Sequence, residues 1–239
     1  YGAPLKNSEH ATAAVKATMK MLAALNRINE WSAAHGLPEV HIRCGVHTGP
    51  VLVGNMGFHS RMKYGVVGEN ANIPGRLEEL NKAYSTEMLI SHATFSRLDP
   101  EAFIIRPIDY IYVRHAANAP SELVYQVLSR DRKSPEGKVH RLKPVAVLHA
   151  KAIALYRARE FERASELFRQ VSETMQVTLG VKTDPPSVLM MKRARAYAER
   201  PPPPEWDGVW DQASEPASGR RGGRARAPPG AAGAPARRP

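Results

Sequence analysis

Few side chains in this sequence have the type and spacing to do chemistry. Asn72 and Arg76 stand four apart in Asn70-Ala-Asn-Ile-Pro-Gly-Arg, so on a helix they share one face. By spacing alone they read as a solvated helix surface, and only their surroundings can make them a site. His41 and His47 are six apart with no third ligand evident, which favours a structural role for His47 over a metal pair. Cys44 is the single cysteine, so no intrachain disulfide forms. Its place in an apolar alternation reads as a small buried hydrophobe rather than a nucleophile. Arg114 closes Tyr110-Ile-Tyr-Val-Arg as a strand-end arginine. Met19, Met21 and Met56 read as packing residues. Trp206 and Trp210, in Glu-Trp-Asp-Gly-Val-Trp, are expected to dock back onto a helical segment.

The elements that must position these residues follow from periodicity. Ala11, Val15, Met19, Leu22, Leu25 and Ile28 fall at helical spacing, predicting a helix over 8–35 that stops at Gly36 and Pro38. Val40, Ile42, Cys44 and Val46 alternate with polar residues, predicting a strand over 40–47. Thr48-Gly49-Pro50 is a turn. Strands are expected at 51–53 and 63–67 around a loop at 54–57, and a helix at 70–84. Pro74 falls in its first turn, where the missing N–H matters least. Further strands are expected at 87–90, 102–105, 110–113 and 123–128. The order of elements gives an α+β domain with an antiparallel-rich sheet. Residues 130–143 read as a polar connector. Helical segments follow at 145–175 and 186–199, and their Ala/Tyr/Phe spacing resembles one tetratricopeptide-like helical hairpin. Such a unit cannot bury its own face and must pack on a neighbour.

Two stretches stand at a fixed separation: His41-Ile-Arg-Cys-Gly-Val-His-Thr-Gly, and Tyr64-Gly-Val-Val-Gly-Glu-Asn-Ala-Asn-Ile-Pro-Gly-Arg. Together they resemble the class III adenylate/guanylate cyclase catalytic domain over about residues 1–129. The resemblance implies an incomplete ferredoxin-like cyclase domain. It implies that a nucleoside triphosphate is cyclised by attack of its 3′-hydroxyl on the α-phosphorus with loss of pyrophosphate, a phosphorus–oxygen lyase reaction in intracellular signalling. Asn72 would hold the ribose and Arg76 would stabilise the α-phosphate in the transition state. Arg114 would approach the triphosphate, in a segment where His115 and Ala116 replace the family's Gly and Lys. Gly65 occupies the position that often reads the base edge, and glycine offers no side chain for it. Pro74 and Gly75 replace the small residues usual between the Asn and Arg, a change able to distort the helix start.

The same resemblance implies two Mg²⁺ or Mn²⁺ ions held by aspartates on segments preceding the position of Tyr1, which this chain lacks. Asp99, Asp109 and Asp131 are not in matching contexts, so no residue here is assigned to metal. The chain opens without Met and in mid-motif, as a fragment would. It is expected to complete a site in a homo- or heterodimer of cyclase domains and to be inactive alone. The Lys-Tyr-x-Val-x-Gly-Glu-x-x-Asn form favours ATP over GTP. A non-catalytic cyclase-like regulatory or interaction module is the alternative reading.

Bulk composition bounds these readings. The chain has 239 residues and a formal net charge of +11. Six arginines, Arg220, Arg221, Arg224, Arg226, Arg237 and Arg238, follow the last acid, Glu215, and supply more than half of that excess. The remainder lacks aromatic interleaving, so no specific nucleic-acid partner is expected. No run of about 18 apolar residues occurs, so no membrane segment is expected in this chain. A cytoplasmic setting follows from the single cysteine, with an anchor outside this chain left open. The expected division is 1–129 partial cyclase domain, 130–143 linker, 144–212 helical hairpin, and 213–239 a disordered Pro/Gly/Arg-rich tail.

Overall fold

A computed structural model describes residues 1–114, 120–130 and 138–210. The regular elements are α1 (His10–Ala34), β1 (Cys44–Val46), β2 (Leu52–Phe58), β3 (Arg61–Val67), α2 (Ile73–Tyr84), β4 (Met88–Ser91), a single turn α3 (His92–Phe95), β5 (Phe103–Ile111), β6 (Glu122–Arg130), α4 (Lys138–Arg157), α5 (Phe161–Leu179) and α6 (Pro185–Glu199). The α+β class expected from the sequence is the one observed. A four-stranded sheet has the order β1-β4-β6-β5, and β2 and β3 form a separate hairpin. β1 runs parallel to β4, while β4–β6 and β5–β6 are antiparallel.

β4 is buried at all four positions, as a strand covered on both faces must be. Met88 and Ile90 pack with Ala11 and Val15 of α1, and with Tyr125 and Val127 of β6. Leu89, between them, packs with Ile73, Leu77 and Tyr84 of α2, and with Ile108 and Val124. Strand alternation thus sends neighbouring side chains into two cores. α2 comes close to β1 because residue 45 is glycine. A Cβ there would lie 2.0 Å from the Pro74 carbonyl oxygen, a separation no packing allows.

Several boundaries differ from the sequence expectations. β1 is three residues long and not eight. Residues 54–57, expected as a loop, lie inside β2, paired across to β3. The strands expected at 102–105 and 110–113 are one bulged strand, β5, with irregularities near Ile104/Ile105 and Pro107/Asp109. Pro107 stays in the strand because it sits at one of those bulges. In the 130–143 stretch read as a connector, Arg130 closes β6 and residues from Lys138 onward are helical. The helix expected over 145–175 is two helices. They are separated at Arg159, whose φ of 65° is left-handed. No glycine or proline marks that turn, so it carries no local signal. The expected hairpin is therefore three helices. The expected tail from residue 213 lies outside the described residues.

The three helices pack in succession and against the sheet. Ile104 of β5 is buried among Leu142, Val145, Val171 and Met175. Trp210 is buried with its ring centroid 4.6 Å from that of Tyr197, so the expected docking of the tryptophans is observed. Two buried ion pairs tie α6 to β5. Arg106 makes a two-pronged contact with Asp184, at 2.7 and 2.8 Å. Arg193 donates to Asp109 at 2.6 Å.

His149 of α4 is fully buried, edge-on to Phe168. Its ring nitrogens make no well-formed hydrogen bond. Burial first, and the nearby Arg106 second, push its pKa down to about 3. Above pH ~6.5 the ring is neutral in both folded and unfolded chains, and it adds no pH dependence. Below that, the unfolded chain takes up a proton that the folded one refuses, so stability falls as pH drops from ~6.5 toward ~3. Between pH 6.5 and 5 this one site should cost roughly 2 kcal/mol. Denaturant unfolding at both pH values is expected to show that loss. His149→Leu should remove about that much of the pH dependence, and an unchanged slope in the variant would assign the acid sensitivity elsewhere.

Candidate active site

Asn72 is the N-cap residue of α2, and its side chain makes no capping hydrogen bond. It is exposed. Its carbonyl accepts the backbone N–H of Arg76 at 3.3 Å, so the two residues stack one turn apart on α2. Pro74 and Gly75 do not break this turn. Pro74 occupies one of the first two helical positions, whose N–H groups have no intrahelical acceptor to lose. The distortion raised by those residues is absent here.

Arg76 is part-buried, and its guanidinium donates to the Val113 carbonyl at 2.5 Å. That contact brings the end of β5 to α2 and places Arg114, the next residue, in the same neighbourhood. Arg114 is about one-third exposed and lies 3.4 Å from both Glu69 and Glu122. The fold therefore gathers Asn72, Arg76 and Arg114 around the start of α2. Gly65 is on a different element, half-buried in β3 and paired with Gly54. A Cβ there would approach only the Met56 sulfur, at 3.7 Å. Packing leaves room for a side chain at this position.

Glu69 and Glu122 were not singled out from the sequence. Glu69 lies inside the Gly-Glu-Asn-Ala-Asn stretch and was open to notice there. Glu122 is brought in by the β5–β6 pairing, which no local pattern announces. Asn70 was missed too, and it fixes His47. Nε2 of His47 donates to the Asn70 carboxamide oxygen at 3.2 Å, Nδ1 accepts from the Ser91 hydroxyl at 2.8 Å, and Asn70 donates onward to the Pro50 carbonyl at 2.7 Å. Burial pushes the His47 pKa down. A neutral ring in one tautomer suits this network, which is the structural role expected. His47 and Asn70 also line an open cleft of about 360 Å³ with His10 and Thr48.

The other candidates resolve plainly. His41 is exposed and 3.7 Å from Glu39. Burial, then Glu87 and Glu78, pushes the Cys44 thiol up, away from a reactive thiolate. Asp109 is buried between Tyr84 and Arg193, accepting from both at 2.6 Å. Asp99 accepts the Glu101 backbone N–H, and Asp131 and residues 115 and 116 lie outside the described residues. Among the described residues no three His, Cys, Asp or Glu side chains group as a metal site would require, so the residues present do not fit a metal centre. Among them, too, no helix is long and apolar enough to cross a membrane.

Comparison with known proteins bears on this geometry. The model of the adenylate and guanylate cyclase catalytic domain matches residues 1–129. Adenylate cyclase 1 of Rhizobium meliloti (strain 1021) is 35% identical over 97 residues, 41% of this chain and 15% of that protein. An adenylate cyclase of Anabaena cylindrica is 35% identical over 101 residues, 40% of this chain and 20% of that protein. Among solved structures, the adenylyl cyclase CyaB from P. aeruginosa has a TM-score of 0.48 at 28% identity, covering 56% of this chain and 66% of the other. The chain thus spans a fifth or less of the length of the two curated relatives.

Proposed function

This chain belongs to the adenylate and guanylate cyclase catalytic-domain family, and from that premise we propose that it supplies the Asn72/Arg76 half of a dimeric active site. The substrate is a nucleoside triphosphate, with ATP favoured over GTP, and the products are a 3′,5′-cyclic nucleotide and pyrophosphate. The observation that carries the reading is the stacking of Asn72 and Arg76 on the first turn of α2 with Arg114 drawn alongside.

The chemistry follows from the groups. The ribose 3′-oxygen attacks the α-phosphorus, and the bond to the β-phosphate oxygen breaks. The Asn72 carboxamide, exposed and free of capping duty, orients a ribose oxygen for in-line attack. The Arg76 guanidinium meets charge that grows on the α-phosphoryl oxygens as the bond changes hands. Its tie at Val113 is to a neutral carbonyl, which leaves its charge uncompensated there. Arg114 contacts the triphosphate after exchanging its two glutamates for phosphate oxygens. The Mg²⁺ or Mn²⁺ that the family generally uses would be held by carboxylates of a partner domain, and would there supply activation of the 3′-hydroxyl and charge neutralisation. No side chains of this chain are assigned to those ions.

The reading has a direct test. Purified chain mixed with ATP or GTP and Mn²⁺ should form no cyclic nucleotide. Adding a cyclase domain that retains its metal-binding carboxylates but has lost its own Asn/Arg pair should restore product. Turnover by the chain alone would overturn the half-site reading. A folded heterodimer without turnover would favour a non-catalytic regulatory role, for which the absence of a base-reading side chain at Gly65 is the specific observation.

A further inference from the structure

Beyond α6 the chain turns back toward the candidate site. Arg159 donates to the carbonyls of Pro202 and Pro203. Trp206 packs edge-on against Tyr156, Phe161 and Tyr197, and its indole N–H donates to the Val209 carbonyl at 2.6 Å. Trp210 is buried beside Tyr197. The segment 201–210 is thereby anchored to the helices at both ends.

Between its anchors the segment meets the end of β5. Val209 forms a parallel bridge with Tyr110, and the Arg157 guanidinium lies 4.4 Å above the Tyr110 ring. The Tyr112 hydroxyl donates to the Asp207 carboxylate at 2.6 Å, and the Ser121 hydroxyl donates to the Asp207 carbonyl at 3.4 Å. One residue of the segment therefore holds Tyr112, just before Val113 and Arg114, and Ser121, just before Glu122. Val113 is the acceptor for Arg76, and Glu122 is a partner of Arg114. Gly208 permits the approach. Its φ is 97°, and a Cβ there would lie 1.8 Å from an Arg157 nitrogen.

We propose that Asp207 is a positioning residue for nucleotide binding, through which the segment 201–210 sets the placement of Arg114 beside α2. The inference rests on the cyclase reading above. Tyr112 is exposed, so its single bond to Asp207 is weak alone. Its effect comes from location: a shift of about 1 Å in a group that contacts substrate can cost as much as about 10²-fold. The helical region then does more than cover the sheet. It holds the substrate side of the half-site in register.

The test uses the whole chain assembled with the complementary cyclase domain, with ATP as the varied substrate. Asp207→Ala should raise KM for ATP about fivefold, the size of one lost hydrogen bond, and change kcat much less. Asp207→Asn, which keeps the shape and weakens the acceptor, should shift KM the same way by less. Gly208→Val, which displaces the segment without deleting a polar group, should raise KM at least as much as Asp207→Ala. The decisive arm is coupling. In an Arg114→Ala background, Asp207→Ala should add nothing, because its effect passes through Arg114. Unchanged KM in Asp207→Ala and Gly208→Val, with Arg114→Ala impaired, would overturn the proposal. Full additivity of Asp207→Ala and Arg114→Ala would overturn it as well. A normal kcat for Arg76→Ala is a separate result that would remove the cyclase reading itself.

Discussion

Arg76→Ala should lower kcat of the assembled cyclase about 10²–10³-fold, or roughly 3–4 kcal/mol, while KM for ATP changes little. The reason is timing. Charge builds on the α-phosphoryl oxygens only as the reaction proceeds, so a guanidinium aimed there binds the transition state more tightly than the substrate. Arg76→Lys should recover only part of the rate, since an ammonium lacks the planar fork of donors. Asn72→Ala should also slow turnover, and the double variant should lose less than the sum of the two, because both act on one reacting centre. Steady-state kinetics of the four proteins decides the matter, with unfolding curves as the control for folding. Arg76 also donates to the Val113 carbonyl. Its loss leaves the carbonyl of buried Val113 without that donor, and the stability cost should be about 1–3 kcal/mol. Near-normal kcat in a well-folded Arg76→Ala dimer would defeat the catalytic assignment.

The largest effect on stability is expected at Arg106 and Asp184. Both side chains are almost completely buried. Arg106 also gives Nε and a terminal nitrogen to Gln126, at 2.9 and 2.7 Å, and Ser187 donates to Asp184 at 2.5 Å. Burial alone would raise the Asp184 pKa, but the Arg106 guanidinium holds it below its usual value. Asp184→Ala leaves a guanidinium buried without its counter-charge and should cost about 3–5 kcal/mol in denaturant unfolding. The double change Arg106→Met and Asp184→Leu should cost far less than the sum, since it removes both charges together. A loss under about 1 kcal/mol for Asp184→Ala would mean that water reaches the pair.

That pair also shows where reading the sequence stopped. Arg106 follows three apolar residues in a strand, and Asp184 precedes Pro-Pro at a helix start. They are 78 positions apart, and nothing local links them. The same holds for Arg193 with Asp109, and for Arg114 with Glu69. Arg159, between α4 and α5, makes a left-handed turn that glycine would have announced and arginine does not. By contrast, the α1 and α2 helices, β4 and the antiparallel-rich character were legible. Their hydrophobic periods of 3.6 and 2 are properties of neighbouring residues. Gly45 was visible as part of a motif, but its reason, contact with the Pro74 carbonyl, was not.

From the sequence alone came the residue types at the half-site, Asn72 and Arg76 four apart, and the family resemblance that gave them roles. These depend on short-range spacing, which a chain carries in its order of residues. The tertiary structure alone decided that Val113 and Arg114 stand at α2, that the three helices lock to β5 through buried charges, and that Asp207 reaches the strand end beside them. Those contacts join residues tens of positions apart, selected by which surfaces bury together and which buried charges find partners. No one-dimensional period encodes that selection.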